Sequence, residues 1–271
     1  LAKKYGNLVL PSPSGYGFEG GKSFYFSHML NCIYDCRYCF LQGMYRSANY
    51  VLFVNYDDFE SQIIENIRSQ DGSSIYYSGY DCDSLALEPV SQFCEHFLHV
   101  FEMHPDAILE IRTKSTQVRC LLDRAPIPNC IIAMSFSSQE STQRFEHKVP
   151  AIKKRIQTLK KLQGMGWQIA IRFEPIIFEE RLAENYRLLF EEIFQSLDVS
   201  LLHSVSLGEF RMPKTYYKNI VKLYPDEQLF GRETKMVEGM ISLKDTNADS
   251  LQKLEGILLE YVSNDKYYLC G

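Results

Sequence analysis

Three thiols fall within eight residues in Cys32-Ile-Tyr-Asp-Cys36-Arg-Tyr-Cys39, a C-x3-C-x2-C spacing. Thiolates held that close can wrap one corner of a metal cluster. Three of them suit a [4Fe–4S] cube with one iron left without a protein ligand, since a closed cube takes four. Such an iron is open to a small molecule. Other uses of the triad stand beside this one. Zinc takes four nitrogen or sulfur ligands, usually from two knuckles; no second C-x2-C lies nearby, and His28 is the neighbour that would complete the set. A third use is as small apolar core side chains. A disulfide with one thiol to spare belongs with secretion, and no secretory segment is read in the sequence.

The elements that must position this loop come from a chain of 271 residues, 45% hydrophobic and 23% charged, which is enough to bury a sizeable core. A net charge of −5 argues against a dedicated nucleic-acid binder, which carries a basic excess, but leaves room for a local basic patch. The 18 Tyr and 17 Phe supply core, with a few to spare for stacking on bases. No apolar run reaches the length of a membrane span, so no membrane partner is expected. Eight Cys in such a chain point to a reducing cytoplasm. The chain opens at Leu1 rather than Met, which leaves room for residues upstream.

Residues 1–22, rich in Gly, Pro and Ser (Pro11, Pro13, Gly15, Gly17, Gly20, Gly21), read as an irregular lead-in. Alternating aromatics predict a strand at Lys22–His28, directly before the thiol loop. A short strand at Val51–Asn55 precedes a helix capped by Asp57 or Asp58 and running to Ser69. Alternation follows. Strands are expected at Ser74–Ser78, Ala107–Arg112, Asn129–Ser135, Gln168–Phe173, Val205–Leu207 and Lys266–Leu269. Helices are expected at Glu88–Met103, Thr116–Asp123, Pro150–Met165, Glu180–Leu197, Lys214–Leu223 and Asn247–Ser263. Pro150 suits a first turn, where its missing N–H costs nothing. Strand–helix alternation means parallel strands with crossover helices. About six units fit an α/β fold of the partial (β/α)6 TIM-like barrel type better than a closed eight-fold barrel. We read 1–271 as a single domain, with 225–271 as a C-terminal extension packed on the barrel.

Chemistry in such barrels sits at the C-terminal ends of the strands. The thiol loop follows the first strand and therefore belongs there. So do Tyr80, Asp81, Cys82 and Asp83, then Lys114 and Ser115, Ser135 to Ser138, Glu174, and Gly208 to Arg211. These stretches are polar and carry both charge signs, unlike the strands before them. Lys114 can pair a carboxylate, Glu174 can accept from an amine, and Ser135 can bond either.

The triad, with an aromatic just before its third Cys, resembles the radical S-adenosylmethionine (SAM) superfamily. Further stretches resemble its spore photoproduct lyase family: Cys32 to Gln42, Asp83 to Glu88, Leu109 to Lys114, Ile132 to Ser137, Arg144 to His147, Arg155, Arg172 to Ile177, Ser206 to Arg211, and Tyr268 to Cys270. They run in matching order over nearly the whole chain. The resemblance implies that Cys32, Cys36 and Cys39 ligate a [4Fe–4S] cluster. It implies that Tyr38, Cys82, Asp83, Lys114, Ser135 and Glu174 line a SAM site. An electron donor such as a ferredoxin or flavodoxin would drive SAM cleavage to a 5′-deoxyadenosyl radical. That radical would take hydrogen from the substrate, a lesion in damaged DNA of the pyrimidine-dimer kind, in a lyase-type DNA repair reaction.

The sequence departs from the family at the hydrogen-returning end. Tyr80 stands where the family's donor Cys is expected, and Cys82 follows two residues later. Phe40 stands where a relay Tyr is expected. No basic, aromatic C-terminal hairpin is evident. Tyr80 and Cys82 are therefore the candidate catalytic residues, as redox relay and hydrogen donor. Cys94, Cys120 and Cys130 read as core. The alternatives are radical chemistry on a peptide or small metabolite, or a non-catalytic metal-cluster binding protein.

Overall fold

The computed structural model describes residues 1–13, 22–245 and 248–270. Gly15, Gly17, Gly20, Gly21 and Asn247, placed above in the lead-in and at a helix start, lie outside the described residues. The main sheet has eight strands, adjacent in this order: β1 (Val9–Pro11), β2 (Lys22–Phe26), β3 (Ser74–Ser78), β4 (Ala107–Thr113), β5 (Cys130–Ser135), β6 (Gln168–Ile176), β7 (Leu202–Glu209) and β8 (Tyr267–Leu269). β1 runs antiparallel to β2; every other neighbour is parallel. Crossover helices return the chain each time: α1 (Tyr56–Arg68), α2 (Glu88–Ser91) with α3 (Phe93–Glu102), α4 (Arg119–Leu122), α5 (Gln139–Phe145) with α6 (Ile152–Met165), and α7 (Leu182–Ser196). α8 (Lys214–Leu223) and α9 (Ala248–Leu258) follow β7. The sheet ends at β1 and β8 without closing. The α/β partial barrel expected from the sequence is present.

Period-two alternation divides each strand between two environments. On β4, Leu109 and Ile111 join the outer core against the helices, as do Ile132 and Met134 of β5, Ile171 and Phe173 of β6, and Val205 and Leu207 of β7. The alternate positions face the lumen in layers. Its floor is small and apolar, built from Ile108, Ile131, Ala133 and Ala170. Above it lies a charged layer. Arg172 donates to Glu110 (Nη2 to Oε2, 2.8 Å) and to Ser204 (3.1 Å), and Arg112 Nε donates to Glu110 Oε1 at 2.6 Å. The Glu110 and Arg172 side chains are 0% and 1% exposed, so each charge must be matched by its partner.

Several local expectations need correction. The helix read over 88–103 is two helices, broken at Gln92, whose φ of 52° is left-handed. Pro150 lies before α6, which starts at Ile152. Asp57 and Asp58 sit in the first turn of α1, behind Asn55 at the N-cap. The helix read over 116–123 shortens to α4, and the strand at 51–55 to Val51–Leu52, paired with Met29–Leu30. The lead-in is not wholly irregular, because Val9–Pro11 pairs with Phe24–Phe26. The strand expected at Lys266–Leu269 is present as Tyr267–Leu269, an edge strand on β7. α5 is a helix beyond those expected from the sequence. Its Gln-Glu-Ser-Thr-Gln-Arg run is polar throughout, and the sign of its start is Ser138, whose side chain accepts from Ser141 N–H at 3.0 Å.

Candidate active site

The thiol loop is fixed by residues far away in sequence. Asp35–Cys36 pairs antiparallel with Glu146–His147, and Arg37 N–H donates to Phe145 O at 2.8 Å. Cys39 N–H donates to Cys36 O at 3.0 Å, which closes the turn between two of the thiols. Tyr34 N–H donates to Cys32 Sγ at 3.4 Å, the kind of contact that tunes a cluster sulfur. A short helix, Leu41–Met44, then lies against α8. Gly43 is required there, because a Cβ at that position would come within 2.1 Å of Tyr216 O. Asn219 donates to Gly43 O at 2.9 Å, and Tyr224 OH to Gln42 Oε1 at 3.0 Å.

The side chain of Tyr38 extends this anchoring into the barrel. Its hydroxyl donates to Glu146 Oε1. Arg155 donates to Glu146 Oε2 and to Ser135 O, both at 2.8 Å. The aromatic beside the third thiol is thereby tied to the end of β5. Burial would raise the Glu146 pKa, but Lys114 and Arg155 outweigh it and hold the carboxyl below its usual range. Lys114 Nζ lies 5.6 Å from the Tyr38 ring centroid, within cation–π reach.

Cys32, Cys36, Tyr38, Cys39, Tyr80, Cys82, Asp83, Lys114, Ser135 and Glu174 line one cavity of about 280 Å³ at the C-terminal mouth of the barrel, whereas Asp81, Ser115 and Phe136 to Ser138, expected at the same mouth, do not line it. Their roles in its wall differ. Ser206 donates to Glu174 Oε1, and Arg112 Nη1 lies 3.8 Å from Glu174 Oε2. Asp83 accepts from Thr113 Oγ1 and Lys114 N, each at 2.6 Å, and from Leu85 N at 3.0 Å. Its carboxylate therefore shapes the loop that presents Lys114. The Tyr80 ring packs on Tyr25 (4.5 Å between centroids) and Phe40 (5.4 Å). Burial, then the Tyr25 hydroxyl, pushes its pKa up to about 12. Cys82 is buried, and desolvation raises its thiol well above the usual value, which keeps the hydrogen on sulfur. Tyr34, Arg112, Arg211 and Cys270 also line the cavity. The period-two face of β4, which puts Arg112 beside Lys114 across one pleat, was the available signal for Arg112.

The three loop sulfurs do not all come within 4.8 Å of one another. A single tetrahedral zinc with bonds of about 2.3 Å would hold them roughly 3.8 Å apart, closer than the loop places all three. His28 is fully buried against Phe93 (4.8 Å) and Phe97 (6.4 Å) and does not line the cavity. Facing the thiols are a cation, a carboxylate and a hydroxyl: Lys114, Glu174 and Ser135. That donor set is complementary to the carboxylate and amine of an amino-acid-bearing ligand. Cys94 and Cys120, read as core, are paired as a disulfide, and Cys130 is buried.

A profile of spore photoproduct lyases matches residues 24–239. Spore photoproduct lyase of Bacillus subtilis (strain 168) is 23% identical over 202 residues, covering 73% of this chain and 59% of that protein. That of Geobacillus sp. (strain Y412MC61) is 23% identical over 208 residues, covering 75% and 61%. The chain thus spans about three fifths of the length of these curated relatives. Among solved structures, a spore photoproduct lyase variant with bound AdoMet and dinucleoside spore photoproduct superposes with a TM-score of 0.79 at 19% identity, covering 92% of this chain and 76% of that one. Streptococcus suis SuiB bound to precursor peptide SuiA gives 0.58 at 13% identity, covering 91% and 48%.

Proposed function

This chain belongs to the spore photoproduct lyase family, and from that premise we propose that it is a radical SAM enzyme acting on a DNA photolesion of the spore-photoproduct kind. The observation that carries this is the convergence of the three loop thiols with Lys114, Ser135 and Glu174 on one cavity. Cys32, Cys36 and Cys39 would hold the [4Fe–4S] cluster, and Lys114, Glu174 and Ser135 the amino-acid end of SAM, with Tyr38, Cys82 and Asp83 completing the site. When bound, cluster and SAM supply a 5′-deoxyadenosyl radical on receipt of an electron from a ferredoxin- or flavodoxin-type donor.

What the chain itself contributes is position and hydrogen. Glu146 and Arg155 hold Tyr38 and the loop turn in place. Asp83 fixes the backbone that presents Lys114. Ser206, donating to one Glu174 oxygen, and Arg112, 3.8 Å from the other, fix that carboxylate in the cavity wall. The buried Cys82 thiol keeps its hydrogen and can return one to a substrate carbon, with Tyr80 as relay. The β strands exclude water from below.

Anaerobic incubation with SAM and dithionite tests this directly. The wild type is expected to release 5′-deoxyadenosine, and Cys36→Ala to lose both the cluster's brown absorbance and the nucleoside. Nucleoside release unchanged in Cys36→Ala contradicts the ligand assignment. Filter binding to ultraviolet-irradiated DNA at low salt addresses the substrate. A peptide or small metabolite is the second reading, favoured by Tyr80 and Phe40 standing at the family's donor and relay positions. Absence of DNA binding at low salt selects it. Purification with one tight zinc on the loop and no iron would select the non-catalytic metal-binding reading.

A further inference from the structure

We propose that Glu88, Cys94 and Cys120 form a zinc site separate from the cluster loop. None of the three lines the mouth cavity. Their ligand atoms all lie within 4.8 Å of one another. Three short elements bring them together: Glu88 opens α2, Cys94 is in the first turn of α3, and Cys120 lies in α4. Residue 94 is 2% exposed and residue 88 is 7% exposed. Glu88 Oε1 accepts from Cys94 N–H at 3.1 Å, while Oε2 is buried and makes no hydrogen bond. A buried carboxylate oxygen without a partner is costly. A cation bound between it and the two sulfurs removes that cost.

The donor set selects the ion. Two thiolates exclude magnesium and calcium, which take oxygen ligands. The carboxylate disfavours copper(I), which prefers sulfur alone. Zinc accepts both, and three protein ligands leave its fourth position open. A second cavity, of about 280 Å³ and lined by Glu88, Gln92, Gln117 and Cys120, opens beside these three residues and gives the ion an entry path and room for a water ligand. The ion binds the reduced pair. Two molecules of a thiol reductant open the Cys94–Cys120 bond and leave joined as their own disulfide. Zn²⁺ then displaces one proton from each thiol. The bound ion joins α2, α3 and α4 on one side of the sheet.

The test uses the full chain carrying Cys32→Ala, Cys36→Ala and Cys39→Ala, so that no cluster thiol competes. After reduction with a phosphine, titration with zinc chloride against a chromophoric chelator is expected to give one zinc per chain. Adding Cys120→Ser is expected to weaken binding at least about 100-fold, and Glu88→Gln about 10-fold. Cobalt(II) in place of zinc is expected to give a thiolate charge-transfer band that Cys94→Ser removes. In the wild-type chain carrying its cluster, mass spectrometry is expected to count one zinc beside the iron. Failure to retain zinc in the wild type, or equal affinity with and without Cys120, overturns the proposal. Neither result bears on SAM cleavage, so this site and the proposed enzyme activity stand or fall separately.

Discussion

Glu146 is the side chain through which the thiol loop and the barrel hold each other. It accepts from Tyr38 on one oxygen and Arg155 on the other, and the Arg155 and Glu146 side chains are both 0% exposed. Glu146→Ala therefore leaves a buried guanidinium without its counter-charge, at a cost of about 3–5 kcal/mol. A urea unfolding curve measures it. The double variant Glu146→Leu with Arg155→Met is expected to recover most of the loss, and a single-variant cost under about 1 kcal/mol would show that the pair is no anchor. Two other buried groups set the acid limit of stability. Burial lowers the pKa of His28 to about 3. Its neutral form is thus favoured on folding, and stability falls as pH drops from about 6.5 towards 3. For Glu110, burial opposes ionisation, but Arg172 and Arg112 prevail and hold its pKa at about 2. Its contribution is complete above about 4.5 and disappears as pH falls through 2. Melting temperature against pH is expected to decline in two overlapping steps, with His28→Phe removing the upper one and Glu110→Gln the lower.

Among the elements, the contact between Leu41–Met44 and α8 has the least room. Gly43→Ala would drive a Cβ to within 2.1 Å of the Tyr216 carbonyl oxygen, and neither backbone can give way without moving the other. The variant is expected to fold but to load several-fold less iron, read as iron per chain after anaerobic reconstitution. Full loading would show that the short helix is not what shapes the turn. The parallel strands were legible in the sequence because both of their faces are buried, so each reads as an apolar run between polar ends. The site was legible for the same reason: Lys114, Ser135 and Glu174 are where those runs turn polar. Features set by tertiary contacts were not legible. The residue at the break, Gln92, is neither glycine nor proline, α5 has no apolar stripe, and the pairing of Cys36 with Glu146 joins residues 110 positions apart. Cys94 lies just past that break, and spacing along the chain does not reveal its nearness to Cys120.

On the scale of the whole molecule, the lumen passes from apolar floor through a buried charge layer to a polar mouth. The thiols sit at the top, on a loop whose supports come from the other half of the chain. Tyr38 reaches Glu146, Gly43 is held by Asn219, and Gln42 by Tyr224. A chain ending at residue 213 keeps β2 to β7 but lacks α8, and is expected to retain less than about a tenth of the iron of the full chain, as the coupling of metal binding to folding requires. Equal iron would show that the N-terminal residues alone shape the loop. These long-range supports also fix an order of events during synthesis. When the three cysteines leave the ribosome, the residues that hold them have not yet been translated, and some 180 further residues must emerge before Tyr224 can close on Gln42. A nascent chain has thiols but no cradle, so iron delivered early meets a floppy peptide. Cofactor insertion therefore belongs at the end of translation or after it.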